Sequence, residues 1–476
     1  MSATSARAVV IGGSMAGLLA ARVLTETHEQ VVIIDRDVLP VTATHRCAVP
    51  QARHSHWLLA SGLSTLESFF PGLSAELTAA GATPADPHHD GSWVFDGYQA
   101  KRARSDLAWL MMSRTLVESR VRGRVTALPG VRLLPGHEVL GLLGAAGKSA
   151  VGGVRVVRRG RSRPVLDVRA DLVVDASGRG SRVPLWLREL GYPPPRENRV
   201  RLTIAYATRH YRRDRHHPPG TLTTGAYATP VRTRGAALSV QENDRWVLTL
   251  VGILGDEPPL DADGFTAFGV SLGDPAIRQI VTGAEPLDVP LRARFPECSR
   301  RRYERLRRLP EGLVVIGDAM CSSNPALAHG MSVAAMQAQV LRDSLLKGPD
   351  RLSRRYFRKA ARVLTVPWIA TLMSDVRCHE AGRRRPPVLW LTDLGRTVLS
   401  RAMERDTVVT EACLRVAHLV TGPWLLFSPS VVLRVLLAQV PSRRPRSRSG
   451  HATGASELGG VPLPRRSRSP AAKEAP

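Results

Sequence analysis

Cysteine and aromatic residues are scarce in this chain, and each shortage argues against a class of protein. The 476 residues include five cysteines, which are scattered, odd in number and without a CxxC pair. This pattern excludes a disulfide scaffold, argues against a zinc ribbon and indicates a reducing, cytoplasmic compartment. Aromatic residues make up 5% of the chain and do not alternate with basic ones, so the stacking surface of a nucleic-acid binder is missing.

Acidic residues are also in short supply. The chain has 67 basic residues against 41 acidic ones, and its formal net charge is +26. Five of the basic residues are lysines and 62 are arginines. Such a skew is typical of the codon bias of a GC-rich genome rather than of a basic patch that binds nucleic acid. We therefore predict no nucleic-acid partner.

No apolar run in the sequence is long enough to predict a membrane span. The most apolar late stretch, residues 416–440, is interrupted by Pro423 and Pro429 and contains Arg434. The first apolar segment leads directly into glycines and is not followed by a signal-peptide cleavage site. This composition leaves a contact with a membrane surface open.

A glycine-rich motif follows the first apolar run. Ala8–Ile11 predicts a short buried strand, Gly12 a tight turn, and the apolar spacing from Ala16 to Leu24 a helix. Gly17 allows the helix and the strand to pack closely, and the free N–H groups at the helix start attract phosphate. The next apolar run ends at Asp35, whose carboxylate can accept hydrogen bonds from a ribose. This order predicts the opening of a doubly wound sheet that binds a dinucleotide.

Two further motifs lie close together late in the chain. A buried strand predicted at Leu313–Ile316 is followed by Gly317 and Asp318, and this aspartate could accept hydrogen bonds from a ribityl hydroxyl. A loop over residues 324–332 then leads into a predicted helix, and Gly330 would let a ligand approach the backbone. The positive end of that helix would stabilise a negatively charged ring.

Together, these motifs resemble those of the FAD-dependent monooxygenases of the aromatic hydroxylase superfamily. The resemblance implies FAD as cofactor, with the first motif holding its ADP half, the Gly-Asp motif its ribityl chain and the proline-containing loop its isoalloxazine ring. The residues that this resemblance assigns to FAD are Gly12, Gly13, Ser14, Met15, Ala16, Gly17, Asp35, Arg36, Asp318, Pro325, Gly330 and Met331.

A narrower resemblance concerns the segment over residues 48–56, the Met-Ser-Arg sequence at 112–114, the Asp-Ala-Ser-Gly sequence at 175–178 and the Pro-Trp pair at 367–368. These segments together look like those of the bacterial epoxidases of polyether polyketide pathways. The resemblance implies that Arg114 reaches the FAD pyrophosphate, that Arg53 lies over the cofactor and that the Val139 backbone meets adenine. His54 and His329, with Arg53, are the predicted flavin-side candidates.

The activity implied by the resemblance is oxygen transfer from dioxygen through a flavin hydroperoxide, most simply to an alkene of an apolar polyketide or isoprenoid. The cofactor carries the difficult step, so no conventional nucleophile is required. The sequence offers no compelling base, which favours epoxidation over hydroxylation of a phenol. Phenol hydroxylation stays open as an alternative, as does a flavin-dependent reductase or dehydrogenase without oxygen transfer.

The electron source is left open by one departure from the family pattern. The family has an Asp-Gly pair, tied to FAD and to the reduced nicotinamide, where this chain has Ser177 and Gly178. NADPH or NADH could therefore act directly or through a separate flavin reductase. The other predicted partners are an apolar small molecule and dioxygen.

The predicted fold is α/β, with a Rossmann-type FAD-binding domain, an inserted antiparallel-sheet substrate domain, a helical C-terminal region and a disordered tail. Helical spacing also predicts a helix over Asp106–Val125 and helices from Met331 to about Val440. The tail is predicted because Pro, Ser, Arg and Gly dominate there. The predicted parts are a first FAD-binding part (1–191), the substrate-binding sheet domain (192–296), the FAD-binding return segment (297–345), the helical region (346–440) and the basic tail (441–476).

Overall fold

The structure, a computed structural model, describes residues 6–40, 42–46, 49–145, 150–160, 164–214, 220–229, 231–379 and 387–440. Residues up to Gln439 form one compact unit. The predicted disordered tail lies outside the described residues, as does Ala48 in the segment that resembles the epoxidases.

The strands alternate with helices in the first third of the chain and follow one another in the middle third. They are β1 (Arg7–Ile11), β2 (Gln30–Asp35), β3 (Thr83–Ala85), β4 (Gly91–Phe95), β5 (Tyr98–Gln99), β6 (Trp109–Met111), β7 (Val131–Pro135), β8 (His137–Gly144), β9 (Val151–Arg158), β10 (Val165–Arg169), β11 (Leu172–Asp175), β12 (Glu197–Arg212), β13 (Thr223–Ala226), β14 (Arg234–Gln241), β15 (Arg245–Ile253), β16 (Leu291–Arg301), β17 (Leu313–Val315) and β18 (Cys321–Ser322).

The last third of the described chain is helical. The helices are α1 (Met15–Leu24), α2 (Ala60–Phe69), α3 (Leu73–Ala79), α4 (Arg114–Thr126), α5 (Val183–Glu189), α6 (Ala262–Ser271), α7 (Pro275–Gly283), α8 (Gly330–Leu345), α9 (Leu352–Val363), α10 (Thr365–His379), α11 (Pro387–Arg405), α12 (Thr407–Ala417) and α13 (Pro429–Leu437). Among the helices described, none is both long and apolar enough to cross a bilayer.

A parallel sheet carries the nucleotide motifs. Its five strands lie in the order β17-β11-β1-β2-β7, and all of its strand pairs are parallel. The central strands are apolar along their length because helices such as α1 and α8 cover the sheet, so that β11 is buried at all four residues. The predicted α/β fold with a parallel sheet is confirmed.

An eight-stranded sheet forms the second layer, in the order β18-β16-β12-β15-β14-β13-β4-β5. Its pairs are antiparallel except for the parallel pair of β13 and β4. The sequence predicted this sheet over residues 192–296, but β4, β5 and β18 come from outside that range and β16 continues to Arg301. The predicted domain boundaries stay a prediction.

The helix predicted over Asp106–Val125 is wrong in its first part. Trp109–Met111 forms β6, which pairs with β3, and α4 begins only at Arg114. Ser113 ends the extended segment, since its Oγ accepts a hydrogen bond from the Leu116 N–H at 3.1 Å and caps the helix. The partner strand β3 lies more than twenty positions earlier, so local periodicity cannot reveal the pairing.

Candidate functional site

The glycine turn lies at the carboxyl edge of the parallel sheet. The strands β1, β2 and β17 run in the same direction, so the residues that follow them meet at this edge. Gly12 has a φ of +101°, and a Cβ there would lie 2.6 Å from the Ala176 carbonyl oxygen after β11. The turn therefore requires glycine at position 12. The Gly12 N–H donates a hydrogen bond to the Ile34 carbonyl at 2.7 Å.

The start of α1 is pressed against this turn. A Cβ at Gly17 would lie 1.8 Å from the Gly12 carbonyl oxygen, so only glycine fits. Ser14 is the N-cap, but its side chain makes no capping hydrogen bond. The N–H groups of the first helical turn have no intrahelical acceptors, so this helix start can bind an anion that approaches over Met15 and Ala16.

Asp35 lies at the end of β2 beside the turn. Its Oδ2 accepts a hydrogen bond from the Gly13 N–H at 2.7 Å and contacts Arg46 Nη1 at 3.4 Å. Its Oδ1 accepts from the Asp37 N–H at 2.8 Å. The Asp35 carboxylate thus holds the glycine turn through its Oδ2. Arg36, the next residue, is exposed.

The Gly317-Asp318 turn lies against the start of α1. A Cβ at Gly317 would lie 2.8 Å from the Cβ of Ala16, and the Gly317 N–H donates to Gln337 Oε1 at 2.8 Å. The Asp318 carboxylate has no hydrogen-bond partner within the described part of the chain. Burial raises the pKa of Asp318, while the charges of Arg114 and Arg179 act in the opposite direction. A donor supplied by a ligand would therefore stabilise this carboxylate.

The loop before α8 ends in a second uncapped helix start. Pro325 begins a short 3-10 turn, and Asn324 Oδ1 accepts from the Ala326 N–H at 2.9 Å. His329 is the N-cap of α8 and makes no side-chain capping bond, so the N–H groups at Gly330 and Met331 begin the helix uncapped. The His329 Nδ1 is buried without a partner, and burial lowers its pKa to about 4.

Beneath Ser14 lies a cluster of buried charges that the sequence did not reveal. Ser14 Oγ donates to Glu118 Oε2 at 2.9 Å and accepts from Arg114 Nη2 at 3.0 Å. Glu118 Oε1 pairs with Arg46 Nη2 at 2.8 Å and with Arg122 Nη1 at 3.4 Å. The four-residue spacing of Arg114, Glu118 and Arg122 on α4 is the signal that could have indicated this cluster.

Two histidines join this site to the eight-stranded sheet. His56 Nδ1 donates to the His54 carbonyl at 3.0 Å, so its Nε2 is the acceptor for Arg114 Nη1 at 3.4 Å. Burial and the Arg114 charge lower the pKa of His56 to about 3, consistent with this neutral tautomer. His54 Nδ1 lies 2.8 Å from Thr208 Oγ1, which in turn lies 2.7 Å from Thr249 Oγ1 on the neighbouring strand.

The remaining predicted residues lie farther from this centre or face solvent. Arg53 ends a short 3-10 turn and is exposed. Val139 is buried in β8, which pairs with β9 in a separate antiparallel sheet and packs beside β2. The residues that the structure brings together at one edge are therefore the glycine turn, Asp35, Arg114 and Asp318.

FAD, the cofactor that the resemblance implies, fits the residues present. Glycine at positions 12 and 17 lets α1 start directly behind β1 with no side chain in the way, and the starts of α1 and α8 are both uncapped. The unpartnered Asp318 carboxylate and the buried, unpartnered His329 Nδ1 lie near these two starts. Unsatisfied polar groups of this kind are the groups that a bound ligand satisfies.

The buried histidines predict that the fold loses stability in mild acid. Burial lowers the pKa of His329 and of His418 to about 4, against 6.5 for the free side chain. The unfolded chain therefore binds more protons between these values, so the free energy of unfolding should fall as pH falls from about 6.5 to about 4. We expect a loss on the order of 3 kcal/mol for each group.

Urea unfolding at a series of pH values measures this effect. Since His418 Nδ1 accepts a hydrogen bond from the Ala60 N–H at 3.2 Å, its protonation also removes that bond. His329→Gln should flatten the pH dependence, whereas His89→Gln, at a side chain 42% exposed, should not. An unchanged slope in His329→Gln would contradict the assignment.

Comparison with known proteins gives one sequence relative and several structural ones. No protein-family model matches the chain. Protein Rv3254 of Mycobacterium tuberculosis is 31% identical over 456 residues, which cover 90% of this chain and 93% of that protein. This similarity extends over both sheets and the helical region, so it concerns the whole fold and not the nucleotide motifs alone.

The solved structures that resemble this one share its fold at low sequence identity. PqsL, a probable FAD-dependent monooxygenase from Pseudomonas aeruginosa, is 17% identical with a TM-score of 0.59, over 79% of this chain and 97% of that one. A flavoprotein/dehydrogenase from Cytophaga hutchinsonii is 14% identical with a TM-score of 0.63, over 91% of this chain and 98% of that one. The chain therefore has the fold found in these flavoproteins.

Proposed function

The chain belongs to the same family as protein Rv3254 of Mycobacterium tuberculosis, and we propose that it is an FAD-dependent monooxygenase. The observation that carries this proposal is the meeting of the glycine turn and the Gly317-Asp318 turn at one edge of the parallel sheet. The uncapped start of α1, the Gly317-Asp318 turn and the glycine before α1 lie in direct contact. A nucleotide cofactor needs this combination of anion-binding backbone and hydroxyl-binding carboxylates.

Each part of the cofactor has a candidate partner in this arrangement. The N–H groups at the start of α1, with the Arg114 guanidinium beside Ser14, would hold the pyrophosphate. Asp35 would accept from the ribose and Asp318 from the ribityl chain. The N–H groups of Gly330 and Met331 would face the ring, and the neutral His329 lies next to them. When bound, FAD supplies the activation of dioxygen, and the chain binds, orients and excludes water.

The substrate class that we propose is an apolar alkene, of polyketide or isoprenoid type. Hydroxylation of a phenol benefits from a base that is poised near neutral pH. Burial, reinforced by the charges of His210 and Arg53, lowers the pKa of His54 to about 4, and its Nδ1 is engaged by Thr208. His329 has a similarly lowered pKa. These weak bases favour epoxidation of an alkene, which needs no deprotonation.

The second candidate function is a flavin-dependent reductase or dehydrogenase. It is favoured by the similarity to the Cytophaga hutchinsonii flavoprotein/dehydrogenase, which covers more of this chain than PqsL does. The electron donor in either case is proposed to be NADPH or NADH, directly or through a separate flavin reductase.

Asp175, in the Asp-Ala-Ser-Gly sequence, is fully buried and accepts hydrogen bonds from the Ser177 and Ser181 hydroxyls, which supports a structural role for this aspartate.

Reduced holoprotein mixed with isotopically labelled dioxygen and a panel of apolar alkenes tests the proposal. We expect one labelled oxygen atom in the product, detected by mass spectrometry. Reduction or dehydrogenation of a substrate without label would favour the second candidate. The absence of bound flavin after reconstitution would overturn both.

A pair of aspartate variants separates the cofactor site from general charge effects. Asp318→Asn should lower flavin retention, because the carboxylate acceptor is lost. Asp343→Asn, at an exposed side chain of α8, should retain flavin as the unmodified protein does.

A further inference from the structure

The last described helix, α13, is apolar on two opposite faces. Its inner face is buried at Val431, and Val435 packs on the core together with Ala438, the residue that ends the helix. Its outer face carries leucines at the helical spacing of one stripe, and these side chains are 58–60% exposed. A cluster of exposed apolar side chains marks an interaction surface, so the outer face is a candidate for one. The outer leucines are Leu433, Leu436 and Leu437.

Two exposed aromatic side chains lie on the element next to α13. The 3-10 turn Pro423–Phe427, which contacts α12 and α13, carries Trp424 at 73% exposure and Phe427 at 77%. Trp57, Trp93 and Trp109 are buried together in the core, so the exposure of Trp424 is an exception among the described residues. We call Trp424, Phe427, Leu433, Leu436 and Leu437 the C-terminal apolar patch.

Positive charge accompanies the patch. Arg434, which follows Leu433 in sequence, is about half exposed, and Asp406 at 2.9 Å balances its charge. In sequence, the chain directly after α13 carries Arg443, Arg444, Arg446 and Arg448. These four arginines follow the end of α13 within eleven residues, so the sequence directly after the patch is cationic.

We propose that the C-terminal apolar patch binds the surface of a bilayer that contains anionic lipids. Large apolar side chains, an interfacial tryptophan and flanking arginines are the combination that holds a helix in the plane of such a surface. This inference is independent of the proposed oxygen-transfer activity, because none of the five patch residues belongs to the nucleotide site.

The charge of the chain distinguishes this occupant from a second copy. Two copies that met at the patch would bring two strongly cationic chains together, and their mutual repulsion would oppose the contact. An anionic bilayer, in contrast, takes up the apolar side chains of the patch and attracts the arginines that follow it.

Sedimentation of the full-length protein with vesicles tests the proposal. We expect binding to vesicles of equal parts phosphatidylcholine and phosphatidylglycerol, weaker binding to pure phosphatidylcholine, and loss of most binding in about 1 M salt. The double variant Leu433→Ser with Leu437→Ser should bind the anionic vesicles about tenfold more weakly. The matched control is Leu346→Ser, at an exposed leucine after α8, which should bind as the unmodified protein does.

A fluorescence measurement locates the contact. Brominated lipids should quench part of the tryptophan emission, and Trp424→Phe should remove that part, since the other described tryptophans include the buried core group. All of these variants change exposed side chains, and unaltered thermal unfolding in solution verifies that the fold is kept.

Three outcomes would overturn the proposal. The first is no binding to anionic vesicles. The second is equal loss of binding in the control variant Leu346→Ser. The third is a stable dimer in light scattering that Leu433→Ser with Leu437→Ser converts to monomers without any vesicle binding, which would assign the patch to a second copy.

Discussion

Replacing Gly17 with alanine should abolish flavin retention and lower the free energy of unfolding by about 3 kcal/mol. The added Cβ would lie 1.8 Å from the Gly12 carbonyl oxygen and 3.3 Å from Val10 Cγ1. The first of these atoms is backbone, so it cannot move away as a flexible side chain would. Relief requires α1 to shift away from β1, and this shift displaces the N–H groups that would bind the pyrophosphate.

Gly123→Ala is the matched control for this substitution. Gly123 also lies in a helix, α4, but a Cβ there meets nothing within 4 Å. Alanine at this position should raise the free energy of unfolding by about 0.5–1 kcal/mol, because glycine is the poorer helix former. Urea unfolding and the visible spectrum of the purified variants measure both effects. Unaltered flavin content in Gly17→Ala would refute the proposed role of the turn.

The glycine turn was predictable because its geometry depends on neighbours in sequence. A tight turn between a strand and a helix leaves room only for glycine at Gly12 and Gly17, whatever the rest of the chain does. The parallel strands were predictable for a similar reason. An uninterrupted apolar run such as Ala8–Ile11 is typical of a strand that is buried on both faces.

The eight-stranded sheet was less predictable because its order depends on distant pairings. Thr223–Ala226 pairs in parallel with Gly91–Phe95, and nothing in either segment identifies the other. The same limit explains the error at Trp109–Met111, which reads as helical by periodicity and becomes a strand through its partner β3. Contacts between distant segments determine that these residues form strands, and no local pattern in the sequence indicates those contacts.

The position of the candidate site was predictable from the sequence, but most of its side-chain contacts were not. Asp35 and Asp318 follow predicted parallel strands, and the carboxyl ends of parallel strands meet at one edge. The sequence could not indicate that Asp35 also fixes the Gly13 N–H, or that Arg46 and Glu118 meet beneath Ser14. These contacts join segments far apart in the chain. The predicted roles toward FAD stay predictions until flavin binding is measured.

Removal of the Glu118 carboxylate should destabilise the fold more than any surface charge does. Glu118 and its partner Arg46 have side chains 7% and 5% exposed, and Arg122 is equally buried. In Glu118→Ala the guanidinium groups of Arg46 and Arg122 stay buried without this carboxylate, although Asp35 still lies 3.4 Å from Arg46. Breaking a buried ion pair from one side costs about 3–5 kcal/mol, and we expect this loss in urea unfolding.

Glu76→Ala is the control, since Glu76 also pairs with two arginines of α4, Arg120 and Arg124, but is 31% exposed. Solvent screens these pairs, so the expected cost is below about 1 kcal/mol. Equal destabilisation by the two substitutions would contradict the buried-charge argument. Glu118→Ala also removes the acceptor of the Ser14 hydroxyl and the carboxylate that pairs with Arg114 Nε at 3.5 Å, so Ser14 and Arg114 both lose a contact that positions them. Flavin retention should therefore fall in Glu118→Ala and stay unchanged in Glu76→Ala, because only the former disturbs the start of α1.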